Sequence, residues 1–148
     1  MNRNIAIVGC GYWGRNLVRN FAELDALHTI CDADPKVLKQ YESCYSGIQR
    51  ESEYSRILHN EEIKGVVIAT PAALHYSTAK QALLADKDVF VEKPIATSGG
   101  DAQELLALAE ERQRVLMVGH LLLLSSYRFS FIQSIVLINP SLKEVSGW

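Results

Sequence analysis

The chain has 148 residues, of which 48% are hydrophobic and 22% are charged, and its formal net charge is −2. A length of this order is typical of one domain with a single core, and the composition excludes disordered and collagen-like proteins. Neither end carries a block of basic residues, so the sequence lacks the electrostatic footprint of a nucleic-acid-binding protein.

Cysteine usage indicates the redox compartment. The three cysteines, Cys10, Cys31 and Cys44, include no CxxC pair, and an odd number cannot all pair with one another. No signal-peptide pattern precedes the first predicted strand. We therefore expect a reduced, cytoplasmic protein.

An apolar stretch over residues 121–138 has about the length that a membrane helix needs, ~18–20 residues. It contains Arg128, Gln133 and four serines. These polar groups disfavour a membrane span, and we expect no membrane partner.

Strand-like and helix-like segments alternate up to residue 120. Short apolar runs bounded by turn residues predict strands at 5–8, 28–31, 65–70, 88–91 and 115–118. Helical periodicity follows the first strand, with Leu17, Val18, Phe21 and Leu24 on one face. Further helices are predicted to begin at the Asp34-Pro35 pair and to cover 54–60, 74–84 and 98–112, the last capped by Ser98.

The order of these elements predicts the fold. Strands that are apolar throughout and separated by helices form a parallel sheet covered on both faces. The sequence therefore predicts the α/β class, with a doubly wound parallel sheet (the Rossmann fold) in a single domain over residues 1–120. Residues 121–148 lack clean periodicity, so we expect an atypical tail there, with a poorly ordered end, and no substrate domain.

A glycine motif follows the first strand and opens a helix, which is the context of the GxGxxG dinucleotide-binding fingerprint. Gly9 would permit the tight turn, Gly11 would let a pyrophosphate approach the backbone, and Gly14 would allow close packing of helix on strand. Tyr12 and Trp13 lie within this motif and are predicted to contact the cofactor. The helix N-terminus then offers N–H groups to the phosphates. The alternative is a glycine turn that only connects two elements.

An acidic residue, Asp32, ends the second predicted strand, eighteen residues after Gly14. A carboxylate there accepts hydrogen bonds from the adenosine ribose hydroxyls and repels a 2′-phosphate. The sequence therefore favours NAD over NADP. In the competing interpretation Asp32 or Asp34 only caps the next helix; we expect Asp34 to do so and Asp32 to remain free for the ribose.

Two further strand ends carry polar residues. Thr70 and Pro71 end a central strand, and His75 follows in the first turn of the next helix. Ligands in open α/β sheets bind at the carboxyl ends of strands. His75 would therefore either contact a ligand or be a surface residue of its helix, and spacing alone leaves these alternatives equal.

The sequence Glu92-Lys93-Pro94 ends the fourth predicted strand. Proline forces Lys93 towards an extended conformation, from which its side chain can reach the crevice. A lysine of lowered pKa there could take a proton from a substrate hydroxyl while hydride leaves the carbon. The alternative is a solvated surface lysine.

His120 follows the fifth predicted strand at the same edge, where it would line the crevice or cap a turn. His28 and His59 have no partners at metal-ligand spacing, so no metal site is predicted. The sequence contains no nucleophile elbow of the Ser-His-Asp hydrolase type.

Together, the segments GCGYWG, CDAD, ATPAALH, VEKP and VGH resemble the Gfo/Idh/MocA family of oxidoreductases, over residues 1–123. The EKP sequence, with TP…H upstream, is much more specific than the glycine motif. The resemblance implies that Gly9, Gly11, Gly14 and Asp32 hold NAD, and that Thr70, Pro71 and His75 lie along the nicotinamide.

The same resemblance implies roles for the residues at the last two strand ends. Glu92 and Pro94 would shape the site, Pro94 through a cis peptide bond. Lys93 would be the catalytic acid/base beside the cofactor, and His120, also assigned to the catalytic site, would border the substrate.

GCGYWGRNLVRNF and VGHLLL look like one branch of the family, the NAD-dependent 3-dehydrogenases of UDP-N-acetylglucosamine-type or glucuronate-type sugars in bacterial surface polysaccharide synthesis. In that branch the 3-hydroxyl of the sugar is oxidised to a ketone. Its members continue into a sheet domain that binds the sugar and builds the oligomer. The full-length form would therefore be a homo-oligomer that takes a small sugar-nucleotide substrate.

The sequence departs from that branch at Leu124, where a Tyr-His-Pro continuation is expected and Leu-Ser-Ser-Tyr-Arg-Phe-Ser is found. Codons for these residues exist that, read one base later, encode Tyr-His-Pro-Ile-Ala-Phe. The hypothesis is that one inserted base made the tail a frameshift product. We then expect the 148-residue chain to bind NAD weakly, to turn over little or no substrate and to self-associate.

Two other functions stay open from the sequence. The chain could be a stand-alone, non-catalytic dinucleotide-binding module. It could also be a membrane-associated protein anchored by residues 121–138.

Overall fold

A computed structural model of the chain describes residues 3–119 and 136–138. The strands are β1 (Ile5–Val8), β2 (Leu27–Cys31), β3 (Gln49–Glu51), β4 (Gly65–Ile68), β5 (Asp88–Glu92), β6 (Leu116–Gly119) and β7 (Val136–Ile138). The helices are α1 (Gly14–Glu23), α2 (Pro35–Lys39), α3 (Tyr54–His59), α4 (Ala72–Leu84) and α5 (Gly99–Glu111).

The strands form one sheet in the order β3-β2-β1-β4-β5-β6-β7. Neighbours from β3 to β6 pair in parallel, and β7 pairs with β6 in the antiparallel direction. The strand order reverses between β1 and β4, which opens a crevice at their carboxyl ends. The predicted doubly wound α/β fold is confirmed.

Both faces of the sheet are buried, as continuous apolar strands predict. On β4, Val66 and Ile68 belong to one hydrophobic cluster and Val67 to another, and all three are at most 2% exposed. The sheet therefore lies between two apolar layers, which hold the strand ends in fixed positions.

The predicted helix caps are confirmed at two places. Asp34 precedes α2 and accepts a hydrogen bond from the backbone N–H of Lys36 at 2.8 Å. Ser98 precedes α5 and accepts one from the N–H of Asp101 at 3.1 Å. The placement of Leu24 on the buried face of α1 is wrong, because the helix ends at Glu23 and Leu24 is 63% exposed.

Two strands were not predicted. β3 is a polar edge strand, Gln-Arg-Glu, with no apolar run to signal it. β7 lies within the region predicted as a tail, and its backbone extends the sheet next to β6. Predictions for 120–135 and 139–148, including His120 and the departure at Leu124, fall outside the described residues. Within 3–119 and 136–138, no helix has the length and apolar character to cross a membrane.

Candidate active site

The glycine turn after β1 leaves no room for side chains at two positions. Gly9 has φ of 88°, and a Cβ added there would lie 2.7 Å from the backbone of Ala69 and Thr70. A Cβ on Gly14 would overlap the carbonyl oxygen of Gly9. At Gly11 an added Cβ would meet nothing within 4 Å. The turn therefore packs tightly against β4 but stays open at the glycine predicted to face a pyrophosphate.

The carboxylate of Asp32 links the end of β2 to this turn. Its Oδ2 accepts a hydrogen bond from the N–H of Cys10 at 2.8 Å, and its Oδ1 accepts one from the N–H of Asp34 at 2.9 Å. On the other side, the hydroxyl of Tyr41 donates to the carbonyl of Cys10 at 2.8 Å. Each carboxylate oxygen keeps a second acceptor position, so Asp32 is fixed and can still bind ligand hydroxyls.

The thiol of Cys10 is buried in this arrangement. Burial, with the nearby Asp32 carboxylate, raises its pKa to about 12. Burial also raises the pKa of Cys31 to about 12. All three cysteines are free, and only Cys44 is exposed.

A cleft of about 510 Å³ opens at the carboxyl ends of β1, β2 and β4. Its volume is within the range of small-molecule sites, about 300–1,000 Å³. Seven of the residues predicted to bind the cofactor line it: Gly9, Gly11, Tyr12, Trp13, Asp32, Thr70 and Pro71. Tyr12 and Trp13 are exposed at its rim, with their rings edge to face at 5.4 Å.

Sequence reasoning missed several lining residues. Ser52 and Tyr54 follow β3, and Leu74 and Thr78 lie on α4. The hydroxyl of Tyr54 donates to the carbonyl of Thr78 at 2.9 Å, which joins the two sides of the cleft. Had β3 been recognised, the rule that ligands bind at carboxyl ends of strands would have indicated Ser52 and Tyr54.

Thr70 lines the cleft and has an unsatisfied hydroxyl. Its Oγ1 is buried and has no hydrogen-bond partner in the part of the chain that the structure describes. Buried hydroxyls in native proteins almost always find a partner. This atom is therefore suited to bind a polar group of a ligand.

His75 is buried rather than exposed on its helix, with 2% of its surface accessible. The alternative of a surface residue is therefore wrong. Its Nδ1 lies 2.7 Å from the carbonyl oxygen of Pro94, and its Nε2 lies 2.7 Å from that of Thr70. Direct contact of these nitrogens with a ligand would require one of the two contacts to break. The cis peptide bond expected before Pro94 is present.

Glu92 and Lys93 differ in their surroundings. Burial raises the pKa of the Glu92 carboxyl, against the opposing effects of the Lys93 backbone N–H and of His75. Lys93 itself is exposed. The lining of the cleft does not include Glu92, Lys93, Pro94 or His75. Their contact with a ligand therefore stays a prediction.

No cluster of three or more His, Cys, Asp or Glu side chains suited to a metal ion occurs within 3–119 and 136–138. The polar side chains that line the cleft instead include the carboxylate of Asp32 and the hydroxyls of Ser52 and Thr70. These fit the hydroxyls and phosphates of a dinucleotide.

Residues 3–120 match the model of the Gfo/Idh/MocA family, an oxidoreductase family with an NAD-binding Rossmann fold. This chain belongs to the Gfo/Idh/MocA family. Its described residues up to Gly119 form the family's NAD-binding Rossmann domain, and NAD is the cofactor that this domain takes.

Curated relatives in the family are much longer. Glycosyl hydrolase family 109 protein 2 of Shewanella sp. (strain ANA-3) is 32% identical over 125 residues, which cover 77% of this chain and 27% of that protein. The 2,7-anhydro-N-acetylneuraminate hydratase of Mediterraneibacter gnavus is 32% identical over 120 residues, covering 79% of this chain and 31% of that protein. The chain thus matches less than a third of each relative.

Solved structures share the fold. The WlbA dehydrogenase of Bordetella pertussis, in complex with NADH and UDP-GlcNAcA, is 29% identical with a TM-score of 0.72, over 80% of this chain and 37% of that one. A 3-ketoreductase of Actinomadura kijaniata, in complex with NADP and TDP-benzene, is 24% identical with a TM-score of 0.73, over 80% and 37%. The second likeness shows the fold alone.

Proposed function

We propose that this chain is the cofactor-binding half of an NAD-dependent dehydrogenase that oxidises the 3-hydroxyl of a UDP-N-acetylglucosamine-type or glucuronate-type sugar nucleotide. The observation that carries the cofactor part is Asp32, whose carboxylate is held by two backbone N–H groups at the rim of the glycine turn. The sugar-nucleotide part is supported by the family motifs and by the likeness to the WlbA dehydrogenase.

The Asp32 carboxylate would accept hydrogen bonds from both hydroxyls of the adenosine ribose through its remaining acceptor positions. The 2′-phosphate of NADP would place its negative charge next to the fixed negative charge of the Asp32 carboxylate. The chain therefore prefers NAD to NADP.

The pyrophosphate would lie against Gly11 and the N-terminus of α1. No side chain caps the first turn of α1. The N–H groups of Arg15 and Asn16 donate to the carbonyls of Gly11 and Trp13, so the phosphate oxygens would meet the N–H groups that precede Arg15. Gly11 leaves the space that the phosphates need.

The nicotinamide side would be formed by Thr70, Pro71 and the Glu92–Pro94 segment. NAD, when bound, accepts a hydride from the sugar carbon. Lys93 would take the proton of the sugar hydroxyl after releasing its own proton to solvent, and the free hydroxyl of Thr70 would orient a polar group of the ligand.

Two neighbouring aspartates allow a matched test of the cofactor part. In calorimetric titrations we expect wild type to bind NADH more tightly than NADPH. Asp32→Ala should weaken NADH binding roughly 10- to 100-fold, because hydrogen bonds to a charged group are lost, and should remove the preference over NADPH. Asp34→Ala, which removes the α2 cap, should leave NADH affinity within about twofold. Equal losses in the two variants, or equal affinities of wild type for NADH and NADPH, would contradict the assignment of Asp32.

Two parts of the proposal remain to be tested: the sugar-nucleotide substrate and the division of the chain at residue 120. Both are tested by sequencing the source gene from the codon of Val115 past the stop codon. The family match ends at residue 120, which supports the division. A shifted frame that stays open and encodes a sheet domain, with a product that reduces NAD in the presence of UDP-sugars, is the expected result. A shifted frame that closes quickly would favour a stand-alone dinucleotide-binding module.

A further inference from the structure

The two ring nitrogens of His75 make contacts of the same kind in opposite directions. Each lies 2.7 Å from a backbone carbonyl oxygen, Nδ1 from that of Pro94 and Nε2 from that of Thr70. The distance is that of a short, strong N–H···O hydrogen bond. The ring is buried, so water does not compete for either nitrogen.

The acceptors decide how many protons the ring needs. A carbonyl oxygen accepts hydrogen bonds and cannot donate one. A neutral imidazole has one N–H group and would turn the lone pair of its other nitrogen towards an oxygen 2.7 Å away. The imidazolium ion has two N–H groups and satisfies both contacts.

An acidic group accompanies this ring. Burial raises the pKa of the Glu92 carboxyl at the end of β5, and the electrostatic interaction of this carboxyl with His75 opposes that rise. A buried cation is costly unless an anion and hydrogen-bond acceptors surround it. His75 has two carbonyl acceptors and the nearby carboxyl of Glu92.

The contacts of His75 join the ends of β4 and β5 beyond the last paired residues of the two strands. The paired register of β4 and β5 ends at Ile68 and Val91. Thr70 and Pro94 lie beyond that pair, on the two sides of the predicted nicotinamide position. His75 hydrogen-bonds to both, so its ring fixes the spacing between them.

We propose that His75 is held as an imidazolium ion and acts as a positioning residue, whose two N–H groups fix the end of β4 against the segment that carries Lys93. The positioning role rests on the proposed nicotinamide site, whereas the protonation state does not. His75 itself need not touch the cofactor.

The protonation state is tested on the full chain without any ligand. In NMR spectra of the ¹⁵N-histidine-labelled protein at neutral pH, we expect both ring nitrogens of His75 to show directly bonded protons that exchange slowly with water. His75→Gln identifies the signal; if that variant does not fold, the other three histidines are replaced in turn and His75 is assigned by elimination. A ring nitrogen without a proton would overturn the proposal.

The positioning role is tested by comparing NADH with ADP-ribose, which lacks the nicotinamide ring. His75→Gln should weaken NADH binding roughly tenfold, because Gln cannot donate in two opposite directions, and should change ADP-ribose binding by less than about twofold. Ala82→Gly is the control, since it weakens α4 at a buried position away from both carbonyls.

Three results decide the outcome. A selective loss of NADH binding in His75→Gln that Ala82→Gly does not reproduce supports the positioning role. Equal losses of both ligands, or the same loss in the control, would overturn it. If wild type binds neither ligand, the proposed function and the positioning role both fail, and the NMR experiment still decides the protonation state.

Discussion

The two sides of the crevice are held together in different ways. At the ends of β1 and β2, the polar groups are fixed by neighbours within the glycine turn and by Asp32. At the ends of β4 and β5, they are joined by one buried side chain, His75, that contacts two separate segments. The first side thus rests on backbone geometry and the second on one ring.

The two sides also differ in their exposure to solvent. The first side forms a defined cleft around Asp32. The second side leaves Lys93 exposed, although its neighbours Glu92 and His75 are half-buried and buried. The first side is therefore sensitive to steric changes and the second to loss of hydrogen bonds.

The largest expected effect is steric and lies in the glycine turn. Gly14→Ala forces a Cβ into the carbonyl of Gly9, so we expect a loss of ~3 kcal/mol or more in the free energy of unfolding, measured by urea denaturation. Gly11→Ala is the matched control and should change stability by less than about 1 kcal/mol, because its Cβ meets only open space. Equal destabilisation by the two variants would contradict this steric explanation, because only Gly14→Ala places a Cβ against backbone atoms.

A smaller effect is expected on the second side. His75→Gln leaves a buried carbonyl without its donor, and should lower the free energy of unfolding by roughly 2–3 kcal/mol. Lys93→Met, one residue from Pro94, should stay within about 0.5 kcal/mol because the side chain is exposed. A larger loss for Lys93→Met than for His75→Gln would reverse this ranking.

The smallest effect concerns Glu92. Its pKa is raised in the folded protein because of burial, so its ionised form opposes folding at neutral pH. Glu92→Gln should therefore stabilise the protein at neutral pH, by less than about 1 kcal/mol because solvent screens a half-buried group. The gain should disappear as pH falls below the ordinary glutamate value of 4.5, where the carboxyl is protonated in both states.

Urea denaturation across this pH range checks the Glu92 prediction. The control is Glu110→Gln, which changes an exposed carboxyl on α5. A stability gain for Glu92→Gln that grows as pH falls would contradict the expected sign.

The first side could be predicted from the sequence because its constraints are local. Gly9, Gly14 and Asp32 have fixed spacings to β1 and β2, and the structure places each where its spacing indicates. Asp34 takes the cap, as its position before Pro35 predicts. The hydrogen bond from Tyr41 to Cys10 was not predictable, because it joins residues with no periodic relation.

The second side could be predicted only in part. Apolar strands and the EKP sequence indicate where the chain ends at the crevice, but the partners of His75 lie 5 and 19 residues away in sequence. Ser52 and Tyr54 escaped notice because β3 is polar and carries no strand pattern. Long-range contacts and polar edge strands leave no local sequence pattern from which they could be predicted.

The most direct test of the central claim is to add NAD to the ¹⁵N-labelled chain and follow its backbone amide signals by NMR. We expect shifts at Cys10, Gly11 and Thr70, at the carboxyl ends of the strands, and none at Gly65 and Asp88, where β4 and β5 begin. An absence of shifts at saturating NAD, or shifts confined to the opposite edge, would contradict the assignment of this cleft as the cofactor site.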